Sequence, residues 1–409
     1  MTVPETSMVP GSWRTPAVVI TAGCLIAIVG FGTRSIFGFF LEPMTITNGW
    51  SRETFSLAMA IQNLVWGLGV PLAGAVADKF GPMRVLMLGA LIYSLGVWGM
   101  SGAQSAEALH LFGGLLTGLG VAFTSFSIAM AAMARVVGPE RRSLALGLGT
   151  AAGSLGQVVF SPLGRYWIDA YGWQPALYIM AALVLLIIPL AFALPSDTTA
   201  KGEDESDQTL LNALREAKDH SGFVLLTIGF FVCGFHVAFI TVHFPAYISD
   251  LGMGAEVGAI GLALIGGFNI IGSLMSGAAG QRWSKKKALS YIYLFRALVI
   301  LGLLLSPKNE MTIYTFSATM GLLWLSTIPL TSGIVAQIFG LRYMATLFGI
   351  VFLSHQLGSF LGIWLGGRLF DTTGSYDVIW WTGVALGIGA AIVHWPIDEK
   401  PLARLSLTK

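Results

Sequence analysis

Residues 74–84 read GAVADKFGPMR, and residues 277–287, 203 positions further on, read GAAGQRWSKKK. In the first copy Gly74, Asp78, Gly81 and Arg84 are spaced so that an acid closes one helix, a glycine turns the chain and a base opens the next. In the second, Gly277, Gln281, Ser284 and Lys287 hold the same four places. The same offset carries Gly164-Arg165 onto Gly367-Arg368. A chain of 409 residues that repeats itself near half its length is built from two similar halves. Asp78 and Arg84 can join across the glycine turn at Gly81, and such a charge cluster at a helix-helix corner can dock on the opposite half and act as a gate.

Both copies sit between long apolar runs. The chain is 55% hydrophobic and 11% charged, with mean hydropathy +0.75, whereas a soluble domain carries about 25% charged residues. A helix needs about 20 apolar residues to cross a bilayer. Runs of that length fall near 16–40, 53–77, 83–102, 109–136, 142–168 and 173–194, then near 222–247, 255–280, 287–305, 311–338, 343–369 and 376–396. The expected fold is therefore an all-α membrane protein of twelve transmembrane helices in two pseudo-symmetric six-helix bundles. The expected domains are 1–194, a linker at 195–221, and 222–409 with a short tail. Within the linker, LLNALREAK reads as a surface helix.

Orientation follows from the basic residues, which favour the cytoplasmic side. With both termini inside, all but six of the 23 Lys and Arg residues lie on the inner face. Arg52, Arg165, Lys308 and Arg368 fall outside, and Arg34 and Arg296 fall within spans. The location expected is the inner (plasma) membrane, multi-pass, with both termini cytoplasmic and no cleavable signal peptide. Cys24 and Cys233 lie inside apolar runs and read as small hydrophobes, so neither a disulfide framework nor a metal site is expected. The net charge of +2 is dispersed, which argues against a nucleic-acid partner. A monomer is expected, with no cofactor.

Parallel six-helix repeats joined by a linker resemble the major facilitator superfamily, whose loop between the second and third helices carries G-x3-D-x2-G-x-[RK]-[RK]. Here Pro82-Met83 precede the base Arg84. Arg34-Ser35-Ile36-Phe37-Gly38-Phe39-Phe40 is similar to the first-helix signature of the monocarboxylate transporter family and its bacterial oxalate and formate relatives. Arg141-Arg142-Ser143-Leu144-Ala145-Leu146-Gly147 is similar to that family's R-R-x-L-A-x-G, and residues 49–81 match its second helix in length and pattern. The resemblance implies alternating-access transport of a small monocarboxylate-like anion, by proton symport or by anion exchange. The family often places an Asp-x3-Arg pair in the eighth helix; the matching positions here are Asn269 and Ser273.

Polar residues within spans are the candidate site. A basic side chain at mid-membrane costs about 2.5–3.5 kcal/mol even on lenient scales, so it needs a partner. All 21 acidic residues fall in loops or at helix ends, which leaves Arg34 and Arg296 without a carboxylate at their depth. An anionic substrate would supply it, and a guanidinium grips a carboxylate with two parallel bonds. The competing readings are snorkelling to the interface for Arg34, and for Arg296 a structural role through Asn269 or backbone carbonyls. His236, His243 and His355 are the available proton carriers, because histidine titrates between about pH 5 and 8. Asn63, Thr124, Gln157, Asn269 and Gln356, together with Gln62, would complete a polar lining.

No Gly-x4-Gly-Lys-[Ser/Thr] run is present, so no built-in ATP motor is expected. No span carries a paired-acid, Ser-Lys or His-x3-His cluster, which argues against an intramembrane enzyme. The alternative to an anion carrier is a proton-driven exporter of hydrophobic drugs or metabolites, with Phe123, Phe126, Trp66 and Trp324 as its lining.

Overall fold

A computed structural model describes residues 13–137, 142–194, 209–340 and 343–402. Twelve long helical runs follow one another: α1 Pro16–Asn48, α2 Arg52–Phe80, α3 Pro82–Ser101, α4 Ala106–Ala134, α5 Arg142–Tyr171, α6 Trp173–Ala191, α7 Ser221–Asp250, α8 Ala255–Arg282, α9 Lys285–Leu305, α10 Glu310–Phe339, α11 Met344–Thr373 and α12 Asp377–His394. Among the described residues, eleven are long and apolar enough to cross a membrane. The other, α5, is a continuous 30-residue helix rich in Gly, Ala and Ser. It is packed between α1 and α8, where small residues let helices approach closely. The expected all-α membrane fold is thus present, with several helices running one to two turns beyond their expected ends.

The helices sort themselves by which face they bury. On α3, Leu88, Leu91, Leu95 and Trp98 recur at helical spacing and are each about half exposed, while Leu86, Ala90, Tyr93 and Val97 on the other face are fully buried. An apolar stripe left exposed along a whole helix is a lipid-facing surface. α9 does the same with Tyr291, Phe295 and Leu298 outward and Leu289, Tyr293 and Arg296 inward. The interior seams are α2 on α11 and α5 on α8, each joining the first six helices to the last six.

Four helices are irregular among the described residues, α6 at Leu186 and three others. α1 tightens to a 3-10 turn over Phe37–Phe40, α4 is interrupted at Thr124 and Ser125, and α10 is interrupted between Leu323 and Thr327. The interruptions of α4 and α10 lie about 200 residues apart, so the repeat seen in the loop sequence extends to helix geometry. The surface helix expected in the linker is present as Leu210–Asp219, capped by Thr209; residues 195–208 lie outside the described residues.

Candidate functional site

Arg34 stands on the last turn of the regular part of α1, just before the 3-10 turn. Gly38 lets α7 close on that turn, since a Cβ there would lie 2.5 Å from the Thr241 carbonyl. The tight approach brings the last six helices up against Arg34. The guanidinium lies on the walls of two small cavities, of about 20 and 10 Å³, each with room for little more than one water. Ile26, Phe31, Trp66, Val121 and Thr124 line the first; Phe37, Asn63, Ala238 and Ile363 line the second.

Arg34 points inward rather than snorkelling. Its Nη2 donates to Asn63 Oδ1 at 2.5 Å, and the Trp66 ring centre lies 4.4 Å from the guanidinium carbon. No carboxylate pairs with it among the described residues. Two buried donors beside it, Arg34 Nε and the Trp66 indole N–H, have no acceptor there either. The Thr124 hydroxyl gives its proton to the Gly120 carbonyl at 2.8 Å, so it faces the cavity as an acceptor only. The wall is therefore apolar and aromatic, with one cation and unspent donors.

Arg296 is placed differently. It is fully buried on α9, and its Nε and Nη2 donate to the Leu323 carbonyl at 3.1 and 2.7 Å, with Nη2 also donating to the Trp324 carbonyl. Those carbonyls lie at the interruption of α10. Asn269 Oδ1 accepts the Leu325 N–H at 2.9 Å on the same broken stretch, while its Nδ2 donates to Ser154. Non-helical backbone at membrane depth needs such partners. Ser273 Oγ donates to Asn269 Oδ1 at 3.2 Å, so the two residues at the family's Asp-x3-Arg positions are bonded to each other. The structure does not bring Arg34 and Arg296 together.

The three histidines do not converge on Arg34 either. His236 Nε2 donates to the Gly383 carbonyl of α12 at 2.8 Å, turning the ring away from the cavities. His243 Nε2 donates to the Ile363 carbonyl at 2.8 Å, which leaves Nδ1 to accept from the Tyr376 hydroxyl at 3.0 Å. His355 is stacked on Phe352, and its Nδ1 meets Gln356 Oε1 at 2.9 Å. Gln356 Nε2 donates to the Asn63 carbonyl at 2.7 Å, which fixes its amide oxygen toward His355 and the proton on His355 Nδ1. Gln157 makes the matching contact on the other seam, donating to the Leu262 carbonyl at 2.9 Å, and Gln62 donates to Gly113. Among the lining candidates Asn63 and Thr124, with Gln62, share a cavity with Arg34; Gln157, Asn269 and Gln356 are spent on interhelical bonds.

One end of the seam between the halves is closed by charges that sequence reading counted only as loop residues. Arg52 grips Asp250 with two bonds of 2.6 and 2.7 Å, donates to the Tyr376 hydroxyl at 2.9 Å and lies over the Phe370 ring. Asp371 of α11 accepts the backbone N–H groups of Arg52 and Glu53 at 3.1 and 2.7 Å, so one half caps a helix of the other. Glu53 accepts from Arg368 and Trp364. The sequence hint was the N-cap pattern Ser51-Arg52-Glu53 at the start of a span, but its partners are about 200 and 320 residues away. Deeper in the seam α2 and α11 are in close contact: a Cβ at Gly67 would lie 2.5 Å from Gln356.

Of the gating trio, Gly81 takes φ +86° between α2 and α3, and Arg84 is exposed; the Asp78 side chain and Arg141 lie outside the described residues, as do the side chains of Phe126 and Arg142. In the degraded second copy Glu399 of the tail supplies the acid: it accepts from Ser284 Oγ and the Lys286 N–H at 2.8 and 2.7 Å, capping α9.

Comparison with known proteins agrees with this architecture. The family model described as Major Facilitator Superfamily matches residues 23–363. Monocarboxylate transporter 13 of Rattus norvegicus is 27% identical over 88% of this chain and 83% of its own length. The MFS-type transporter YcxA of Bacillus subtilis is 26% identical over 91% of this chain and 92% of its own. Among solved structures, a bacterial homologue of the human lysosomal transporter Spinster, inward-facing and unoccupied, superposes with TM-score 0.72 at 16% identity, covering 94% of this chain and 95% of that one.

Proposed function

We propose that this chain, a member of the Major Facilitator Superfamily and hence a membrane transporter rather than an enzyme, carries a small monocarboxylate-like anion across the plasma membrane by alternating access. The observation that carries this reading is Arg34: a cation on the wall of two small cavities, held by a neutral amide and lacking a carboxylate among the described residues. A buried guanidinium is stabilised most by a planar anion, because two charge-assisted bonds replace one neutral acceptor. The curated relatives named as monocarboxylate transporters agree with that chemistry.

With the termini inside, the end closed by Arg52 and Asp250 faces outward. Transport then requires the Arg52 network to open, and the drive comes from protons taken up with the anion or from a counter-anion. His355 is the better placed proton carrier of the three histidines, since it reaches the site through Gln356 and Asn63.

The test is thermal shift of purified protein against acetate, lactate, pyruvate and benzoate, with lipophilic cations in parallel. Stabilisation by carboxylates that disappears in Arg34→Gln supports the reading. Stabilisation by lipophilic cations alone would replace it with the exporter.

A further inference from the structure

Asn63 is held at three points. Its Nδ2 donates to the Met59 carbonyl at 2.9 Å, which turns Oδ1 toward Arg34. Its own carbonyl accepts from Gln356 Nε2 across the seam. Gly67, one turn further along α2, leaves room for that glutamine. The amide oxygen is thus fixed on Nη2 of the guanidinium. Nη2 carries two N–H groups, one used in an end-on grip of a carboxylate and the other in a side-on grip, so Oδ1 blocks one grip and stands beside the other. An incoming anion must displace Oδ1 or crowd against another electron-rich oxygen.

We infer that Asn63 is a specificity-determining competitor built into the site: its amide oxygen occupies Arg34 in the empty protein, and only a ligand oxygen that outbids it is admitted. This rests on the reading of Arg34 as the anion's partner. A charged carboxylate outbids a neutral amide, because bonds between ions are roughly twice as strong as neutral ones. A neutral amide or ester of the same shape gains nothing over Asn63 and stays out. Specificity here comes from an opposing element as much as from attraction.

The experiment compares lactate with lactamide and benzoate with benzamide, by titration of purified full-length protein in detergent. Asn63→Ala should tighten carboxylate binding by about 3- to 10-fold, the worth of one hydrogen bond, and should let the neutral amides bind measurably. Asn63→Asp should weaken carboxylates by more than about 30-fold, because an internal carboxylate then neutralises Arg34. The opposite signs separate this from a folding defect, and Asn63→Ser, too short to reach Arg34, should follow alanine if alanine fails to fold. Carboxylate binding that weakens in both Asn63→Ala and Asn63→Ser makes Asn63 a ligand and overturns the inference, as does unchanged discrimination against the amides. Undiminished binding in Arg34→Gln would instead overturn the underlying reading.

Discussion

Arg34 and Arg296 are the two arginines that the hydropathy pattern places inside spans, and the structure gives them opposite fates. Arg296 lies on a lipid-facing helix with its side chain turned inward, and two of its nitrogens serve the carbonyls freed where α10 breaks. Arg34 lies beside a comparable irregularity, but α1 tightens to a 3-10 turn instead of opening, and no backbone carbonyl among the described residues bonds it; it meets one amide, the Trp66 ring and two small cavities. A charge within a span marks a site only where the surrounding backbone does not consume it.

The comparison breaks most sharply with substitution. Arg34→Gln should lower anion affinity by about 100-fold or more, with melting temperature nearly unchanged because an uncompensated cation is removed. Arg34→Lys should recover part of the loss, keeping the charge without the planar fork. A binding titration beside a melting curve checks both. Arg296→Gln should do the reverse, costing about 1.5–3 kcal/mol of stability for each lost charge-assisted bond while apparent affinity in the surviving protein stays near wild type. If instead it abolished binding at unchanged stability, the two arginines would belong to one site.

Smaller effects sharpen the picture. Asp250→Asn removes the two-bond grip on Arg52, a partly exposed pair at the closed end. It should shift the resting population toward the other conformation by several-fold, the range expected of such a pair. Labelling of a cysteine placed on α11 near Ile363 would report the opening. Least affected should be the pH dependence of anion binding in His236→Gln, since that ring bonds Gly383 on the far side of α7. His355→Gln should flatten the same profile, because His355 communicates with Arg34 through two amides. A flattened profile in His236→Gln would return that histidine to the site.

The twelve spans, the surface helix of the linker and the superfamily were legible in the sequence, because lipid allows only one solution for a long apolar segment: a helix that satisfies its own backbone. The repeat at 74–84 and 277–287 was legible too, since each copy needs its glycine or cap at a fixed place in a turn. Arg34, Arg296 and the polar residues of the spans could be named, but the roles of the two arginines could not be separated. That distinction depends on where α10 breaks and where α1 tightens, and on which carbonyls then fall within reach. The closed end was illegible for a related reason: Arg52, Asp250, Asp371 and Tyr376 are ordinary loop-edge residues until packing joins α2 to α7 and α11. Hydropathy is a local property that one segment carries by itself, whereas a charge's partner comes from a distant part of the chain, and only the folded bundle selects it.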